Sequence, residues 1–253
     1  MIILLSPAKS LDFNPKPDVP RTQPRFKNDT FELADIMKKK SAGDLKKLMS
    51  ISDKLADLNT SRFEAFKESH TKENSKQAMF AFTGDVYVGL DANSFDEKDI
   101  EFAQEHVRML SGFYGLLRPL DVMQPYRLEM GTKLKTKRGK NLYEFWGDRI
   151  AKKIQEDLKS SENNALINLA SQEYFKAVDL DVIDDDLYNI QFLEMRDDAY
   201  KFISFNAKKA RGLMTKYIVK NKITTPEKIK GFNLDGYMYN PELSKDKDWV
   251  FTR

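Results

Sequence analysis

The sequence predicts a mixed α/β fold, one body in which a mixed β-sheet is surrounded by helices, and three observations carry that reading. Residues Met1 to Leu5 form a continuous apolar run, the pattern of a strand covered on both faces. Helical and strand-like segments alternate along the chain, yet several strand-like segments are neighbours, which disfavours a purely parallel sheet. With 253 residues, 41% of them hydrophobic and 11% aromatic, the chain is long enough to bury about 73% of its extended surface. No repeat, low-complexity tract or linker divides it, so residues 1–253 read as a single domain with a helical subregion at 29–77.

The elements follow in order. The run Ile2 to Leu5 makes the first strand and a central one. Leu11 to Asn28 carries Pro15, Pro17, Pro20 and Pro24, so it cannot hold a helix or a central strand and reads as an extended surface crossing. Residues 29–77 read as short helices, capped by Asp29 or Thr30, by Ser41, by Ser52, and by Thr60 or Ser61. Phe31, Ala34 and Met37, and likewise Leu45, Leu48 and Met49, recur at helical spacing and mark core faces. Ala78 to Phe82 reads as a buried strand, Thr83 to Asp85 as a turn, and Val86 to Val88 as an alternating strand. A long helix capped by Ser94 or Asp96 follows, with Ile100, Ala103, Val107 and Leu110 inward and its end at Gly112.

Asn141 to roughly Lys159 reads as one amphipathic helix with Leu142, Phe145, Trp146, Ile150 and Ile154 inward. Ala165 to Leu169 is the next strand, followed by a short helix capped by Ser171. Strands are expected near Leu187 to Met195 and Lys201 to Phe205, and then a helix capped by Asn206 that reaches Lys220.

Composition excludes several function classes. The 42 Lys and Arg against 39 Asp and Glu leave a net charge of only +3, so polyanion binding by bulk charge is out and any anion site must be local. With no cysteine there are no disulfides, thiolate nucleophiles, iron–sulfur clusters or Cys-based zinc sites, which suits a reducing cytoplasm. The apolar start is too short for a signal peptide, and no run of about 18 apolar residues is present to cross a membrane. A cytoplasmic monomer without a resident cofactor or metal is expected. GxGxxG, GxxxxGK[ST], HExxH, GxSxG and EF-hand patterns are all missing. His70 and His106 stand in unrelated contexts, and Asp184 to Asp186 reads as a solvated turn in preference to a cation site.

Residues Leu110 to Asp121 hold the first candidate. Gly112 and Gly115, three apart after a helix, fit a hairpin whose backbone N–H groups face a phosphate, beside Tyr114; an ordinary helix stop and turn is the alternative. Arg118, Asp121, Arg127 and Glu129 lie among Pro, Gly and aromatic residues, where long charged side chains must pair. They form either a structural ion-pair network or a bidentate anion site. In the run from Lys133 to Lys140, alternation would place Lys133, Lys135 and Lys137 on one face, with Arg138 and Lys140 beside them, as a phosphate-binding row or a solvated hairpin. Lys208, Lys209 and Arg211 open a helix where cations oppose the dipole, a placement that a nearby anion would explain. Lys9, following Ser6, and Lys176 sit in similar junctions after strands. If those strands share one sheet end, the cations converge on a single pocket.

The motifs Ser6-Pro-Ala-Lys9, Gly84-Asp-Val-Tyr87, Leu110-Ser-Gly112, Tyr114-Gly115, Leu117-Arg-Pro-Leu-Asp121, Pro125-Tyr-Arg-Leu-Glu-Met-Gly131, Asn168-Leu-Ala-Ser171, Glu173-Tyr174 and Ile203-Ser204 to Gly212, in this order, resemble the YaaA family of bacterial peroxide-stress proteins over nearly the whole chain. The resemblance implies a cytoplasmic protein that helps limit free intracellular iron during peroxide stress. It also implies a single-domain mixed α/β fold with a basic cleft and a helix-hairpin-helix-like element that binds double-stranded DNA without sequence specificity. Two function classes stand side by side. A DNA-binding protein without catalysis needs its cations spread along a groove. An enzyme acting on a phosphorylated or nucleobase-like small molecule needs Lys9, Arg118, Asp121, Arg127, Lys176 and Lys208 gathered in one pocket.

Overall fold

The structure, a computed structural model, describes residues 1–253 apart from positions 16, 162 and 185. In chain order the elements are β1 (Ile2–Leu5), β2 (Ser10–Leu11), α1 (Lys27–Lys38), α2 (Ala42–Met49), α3 (Asp53–Ala65), β3 (Lys76–Gln77), α4 (Ala78–Ala81), β4 (Phe82–Thr83), α5 (Asp85–Leu90) and α6 (Glu97–His106). They continue with β5 (Val107–Ser111), β6 (Gly115–Leu117), β7 (Val122–Met123), α7 (Leu142–Trp146), α8 (Arg149–Lys159), β8 (Ala165–Asn168), α9 (Gln172–Phe175), β9 (Asp186–Arg196), β10 (Ala199–Lys201), α10 (Ser204–Lys220), β11 (Met238–Tyr239) and β12 (Asp248–Thr252).

The main sheet runs β11-β12-β9-β8-β1-β5-β6, with β10 paired to β9. It is mixed, as expected. β5, β1, β8, β9 and β12 run parallel, while β6, β10 and β11 are antiparallel additions. β1 lies between β5 and β8, and Ile2 to Leu5 are at most 1% exposed, which is why the run carries no polar alternation.

Several elements differ from the sequence reading. The helix expected to continue to Gly112 stops at His106, and Val107 to Ser111 form β5, next to the centre of the sheet. All five residues of β5 are buried, so both of its faces are apolar and Val107 and Leu110 also satisfy helical spacing from Ile100 and Ala103. Gly112 to Tyr114 then form the turn of an antiparallel hairpin into β6, so this element is a β-hairpin and not a helix-hairpin-helix.

Ala78 to Ala81 and Asp85 to Leu90 are short helices where strands were expected, because a short apolar run fits either state. The helix from Asn141 is broken by Gly147 at φ 50°, so α7 and α8 are separate. Thr60 and Ser61 lie inside α3, where their hydroxyls donate to Ala56 and Asp57 carbonyls at 3.0 and 3.1 Å. Ser41 and Ser52 cap α2 and α3 as expected, but α1 begins at Lys27, ahead of Asp29 and Thr30. Asn206 sits within the first turn of α10, which starts at Ser204, so Lys201 to Phe205 is a strand only to Lys201. Of Asp184 to Asp186, the middle residue lies outside the described residues. Asp184 N–H donates to Gln155 at 3.1 Å, and Asp186 opens β9 in an ion pair with Lys247 at 2.5 Å.

One contact fixes the geometry of everything that follows. A Cβ at Gly212 on α10 would lie 1.8 Å from the Val86 carbonyl oxygen on α5, and one at Gly89 on α5 would lie 2.2 Å from the Lys209 carbonyl oxygen. The two helices cross backbone to backbone, which only glycine allows, and this sets α10 against the segment carrying Gly84 to Tyr87.

Candidate functional site

β1 and β8 are parallel neighbours, and from them the chain returns to the sheet on opposite sides, after β1 at β5 and after β8 at β9. Loops that leave in opposite directions open a crevice at the carboxyl edge of such a sheet. A crevice of about 600 Å³ lies there, walled by Ser6 to Ser10 after β1, Thr83 to Tyr87, Ser171 to Tyr174 after β8, Phe202, Ser204, and Lys208 and Arg211 of α10.

Its floor is knit by short bonds. The Ser171 N–H donates to Ser6 Oγ at 2.8 Å, Ser6 Oγ donates to Ser171 Oγ at 3.2 Å, and the Tyr87 hydroxyl donates to the Ser6 carbonyl at 3.0 Å. Burial pushes the Tyr87 and Tyr174 phenols above their ordinary pKa range, so both stay neutral.

Of the residues that the pocket reading gathers, Ser6, Lys9, Lys208 and Arg211 line the crevice, Arg127 and Glu129 line only an adjoining pocket, and Arg118, Asp121, Lys176 and Lys209 line neither. Lys9 is already engaged, since its ammonium lies 2.7 Å from Glu129, whose other oxygen takes Arg127 at 2.9 Å. Arg127 and Glu129 form a small adjoining pocket that shares Lys9 and Tyr174 with the crevice. Arg127 and Arg211 both have a buried Nε with no hydrogen-bond partner, but Arg127 has Glu129, whereas among the described residues no carboxylate pairs with the Arg211 guanidinium. Enclosure without a counter-charge pulls its pKa below the ordinary arginine value.

The remaining candidates lie elsewhere. Arg118 forms a local ion pair with the fully buried Asp121 at 3.0 Å, and Asp121 also accepts from the Thr22 hydroxyl at 2.6 Å, so this pair is structural and is not part of the crevice. Lys209 turns to Asp235 at 3.5 Å. Lys176 caps α9 with its ammonium 5.3 Å from the Tyr143 ring centroid and does not line the crevice.

Gly112, Tyr114 and Gly115 are buried and offer no surface to a phosphate. A Cβ at Gly112 would meet the Leu128 carbonyl at 2.4 Å, and one at Gly115, at φ +70°, the Trp146 ring at 2.7 Å. The glycines serve packing. The Tyr114 hydroxyl accepts from Gln124 N–H at 2.9 Å and contacts His70 Nε2 at 3.0 Å. His106 Nδ1 contacts the Met1 carbonyl at 2.8 Å, so both histidines are structural.

In the 133–140 segment, Thr136 bridges Gly139 across a turn at Lys137 and Arg138. Lys133, Lys135, Lys137 and Lys140 are exposed, while Leu134 between them is buried. Arg138 is not free, because its guanidinium pairs with Asp29 and Glu32 of α1 and stacks 4.5 Å from the Phe145 centroid. The segment is tied to the crevice wall at its start, where Gly131 N–H donates to Glu173 Oε1 at 3.0 Å.

The sequence reading passed over Asp85, Tyr87, Ser171, Tyr174, Phe202 and Ser204 as site residues. Most of them stood inside the quoted motifs, and their recurrence at strand ends was the available signal.

Fold and crevice together define a mixed α/β protein with a cation-lined crevice at the carboxyl edge of its parallel strands. Comparison with known proteins narrows this class. The sequence profile described as "Peroxide stress protein YaaA" matches residues 1–243, and the chain belongs to that family. It is similar to a "UPF0246 protein" from Hahella chejuensis, 50% identical over 254 aligned residues that cover 100% of this chain and 99% of the relative. A "UPF0246 protein" from Saccharophagus degradans is likewise 50% identical over 254 residues, with the same coverage. Among the described residues, no helix is long and apolar enough to cross a membrane.

Proposed function

We propose that this protein acts in the cytoplasm during peroxide stress, where it helps limit free intracellular iron and binds double-stranded DNA without sequence specificity. The observation that carries the reading is the exposed row Lys133, Lys135, Lys137 and Lys140, which projects from a segment anchored by Arg138 and Glu173. Unpaired surface lysines contribute through phosphate contacts and counterion release and carry no base information.

With about four such contacts, log K falls against log salt with a slope near −3.6, so raising salt from 50 to 200 mM weakens binding roughly 150-fold. Fluorescence anisotropy with two duplexes of unrelated sequence checks this. Equal affinities with that slope support the reading, and salt-insensitive or undetectable binding overturns it. Replacing Lys133, Lys135 and Lys137 with Ala should flatten the slope by up to about 3 units and leave stability nearly unchanged.

An enzyme acting on a phosphorylated or nucleobase-like small molecule is the second reading. One observation favours it: Lys9, Lys208 and Arg211 share one crevice with Ser6.

A further inference from the structure

Proteins rarely enclose a guanidinium without a counter-charge, because removing it from water costs several kcal/mol unless a partner compensates. Two arginines elsewhere in the chain follow it. Arg108, with its side chain 6% exposed, lies 2.6 Å from Asp157, and Arg118 lies 3.0 Å from Asp121. Arg211, half-buried against the crevice, breaks it: like Arg25 and Arg127 it has a buried, unpartnered Nε, but unlike them it has no acid within ion-pair reach among the described residues. One turn earlier on α10, the exposed Lys208 lines the same crevice, and the first turn of that helix carries no acidic residue.

The crevice is large enough for more than an ion, since about 600 Å³ falls in the range of small-molecule sites. Its lining also includes Asp85, an acceptor, and Phe202, with 56% of its surface exposed. A ligand with one strongly anionic end, hydroxyl or amino donors and a flat ring satisfies all of these groups at once. A simple dicarboxylate would leave Asp85 facing another negative charge.

We propose that this crevice binds a small phosphate monoester of nucleoside monophosphate size, with Arg211 and Lys208 holding the phosphate, Asp85 accepting from the sugar or ring, and Phe202 covering the ring. The site is separate from the DNA reading, which concerns the 133–140 lysines.

Isothermal titration calorimetry and thermal unfolding of the full chain, with inorganic phosphate, adenosine monophosphate, adenosine and succinate as probes, test it. Adenosine monophosphate should bind and raise the unfolding midpoint, inorganic phosphate should bind more weakly, and adenosine should bind at least about 30-fold more weakly than its monophosphate. Arg211→Met should weaken the monophosphate by at least about 30-fold, and Lys208→Met, at an exposed position that folding does not need, by about 10-fold. Lys133, Lys135 and Lys137 replaced with Ala should bind it unchanged, and Arg211→Met should keep the wild-type salt slope with duplex DNA, so loss of one activity is distinguishable from loss of the other. The proposal is overturned if neither phosphate probe binds at millimolar concentration, if succinate binds as tightly as the monophosphate, or if both cation variants bind like the wild type.

Discussion

Around Asp157 two arginines share one carboxylate: Arg25 donates to Oδ1 at 2.7 Å and Arg108 to Oδ2 at 2.6 Å, while Arg25 keeps its Nε and Nη2 buried without partners. Burial opposes the charge on Asp157, but the two guanidiniums outweigh it and hold the carboxyl below its ordinary pKa. In the crevice at the ends of β1 and β8, the half-buried Arg211 has no acid among the described residues. The first cluster ties the segment before α1, the strand β5 and the helix α8 to one another, and each of its cations meets a carboxylate within the fold. The second leaves a cation uncompensated beside an open volume, which is costly for folding and useful for a ligand. The two regions therefore differ in whether the arginine meets a carboxylate within the fold.

The largest effect should come from breaking the matched cluster. Asp157→Asn leaves two enclosed guanidiniums without their anion and should cost about 3–5 kcal/mol in denaturant unfolding. A loss under about 1 kcal/mol would show that the cluster is solvated and would blur the contrast with Arg211. Next comes the crossing that sets α10 beside the crevice. Gly212→Ala forces a methyl into the Val86 carbonyl and should cost about 3 kcal/mol, the upper end of overpacking effects, while reducing any crevice binding. Wild-type stability of that variant would mean that α5 and α10 separate freely.

A third, smaller effect concerns Asp99, which lies 2.5 Å from Lys220 and also pairs with Lys222. Burial would raise its pKa, but the lysines outweigh burial and lower it from 3.8 to about 2. Because the folded-state pKa is depressed, the stabilisation is complete above about pH 4 and is lost as pH falls toward about 2. With the lysines 36% and 38% exposed, water screens part of the interaction, so Asp99→Asn should cost about 1–2 kcal/mol at pH 7. Chemical unfolding at several pH values checks this, and the gap between variant and wild type should close across that acid window.

How much of this was legible in the sequence follows from where each signal lives. Ile2 to Leu5 announced a central strand because burial on both faces removes alternation. Lys9 and Lys208 were expected in one pocket and line one crevice, because strand ends collect at one sheet edge, whereas Arg118 and Lys176, expected with them, do not line it. The same double-sided burial hid β5, whose residues also keep helical spacing. β11 and β12 escaped because Trp249 to Phe251 form a short buried run between charged neighbours. The partner of a charge was the least visible property. Arg118 and Asp121 are close in sequence and could be paired on paper, whereas Arg138 finds Asp29 across 109 residues, and nothing local separates it from the free lysines beside it.

The central claim is that Arg211 is enclosed for a ligand and Arg108 for the fold. Equilibrium denaturant unfolding of Arg211→Met and Arg108→Met, side by side in phosphate-free buffer, tests it most directly. Arg108→Met should lose about 1–3 kcal/mol because Asp157 forfeits a buried partner, whereas Arg211→Met should match the wild type or gain up to about 1 kcal/mol because an uncompensated charge is removed. A loss for Arg211→Met as large as that for Arg108→Met would contradict the account, since it would make Arg211 one more structural arginine.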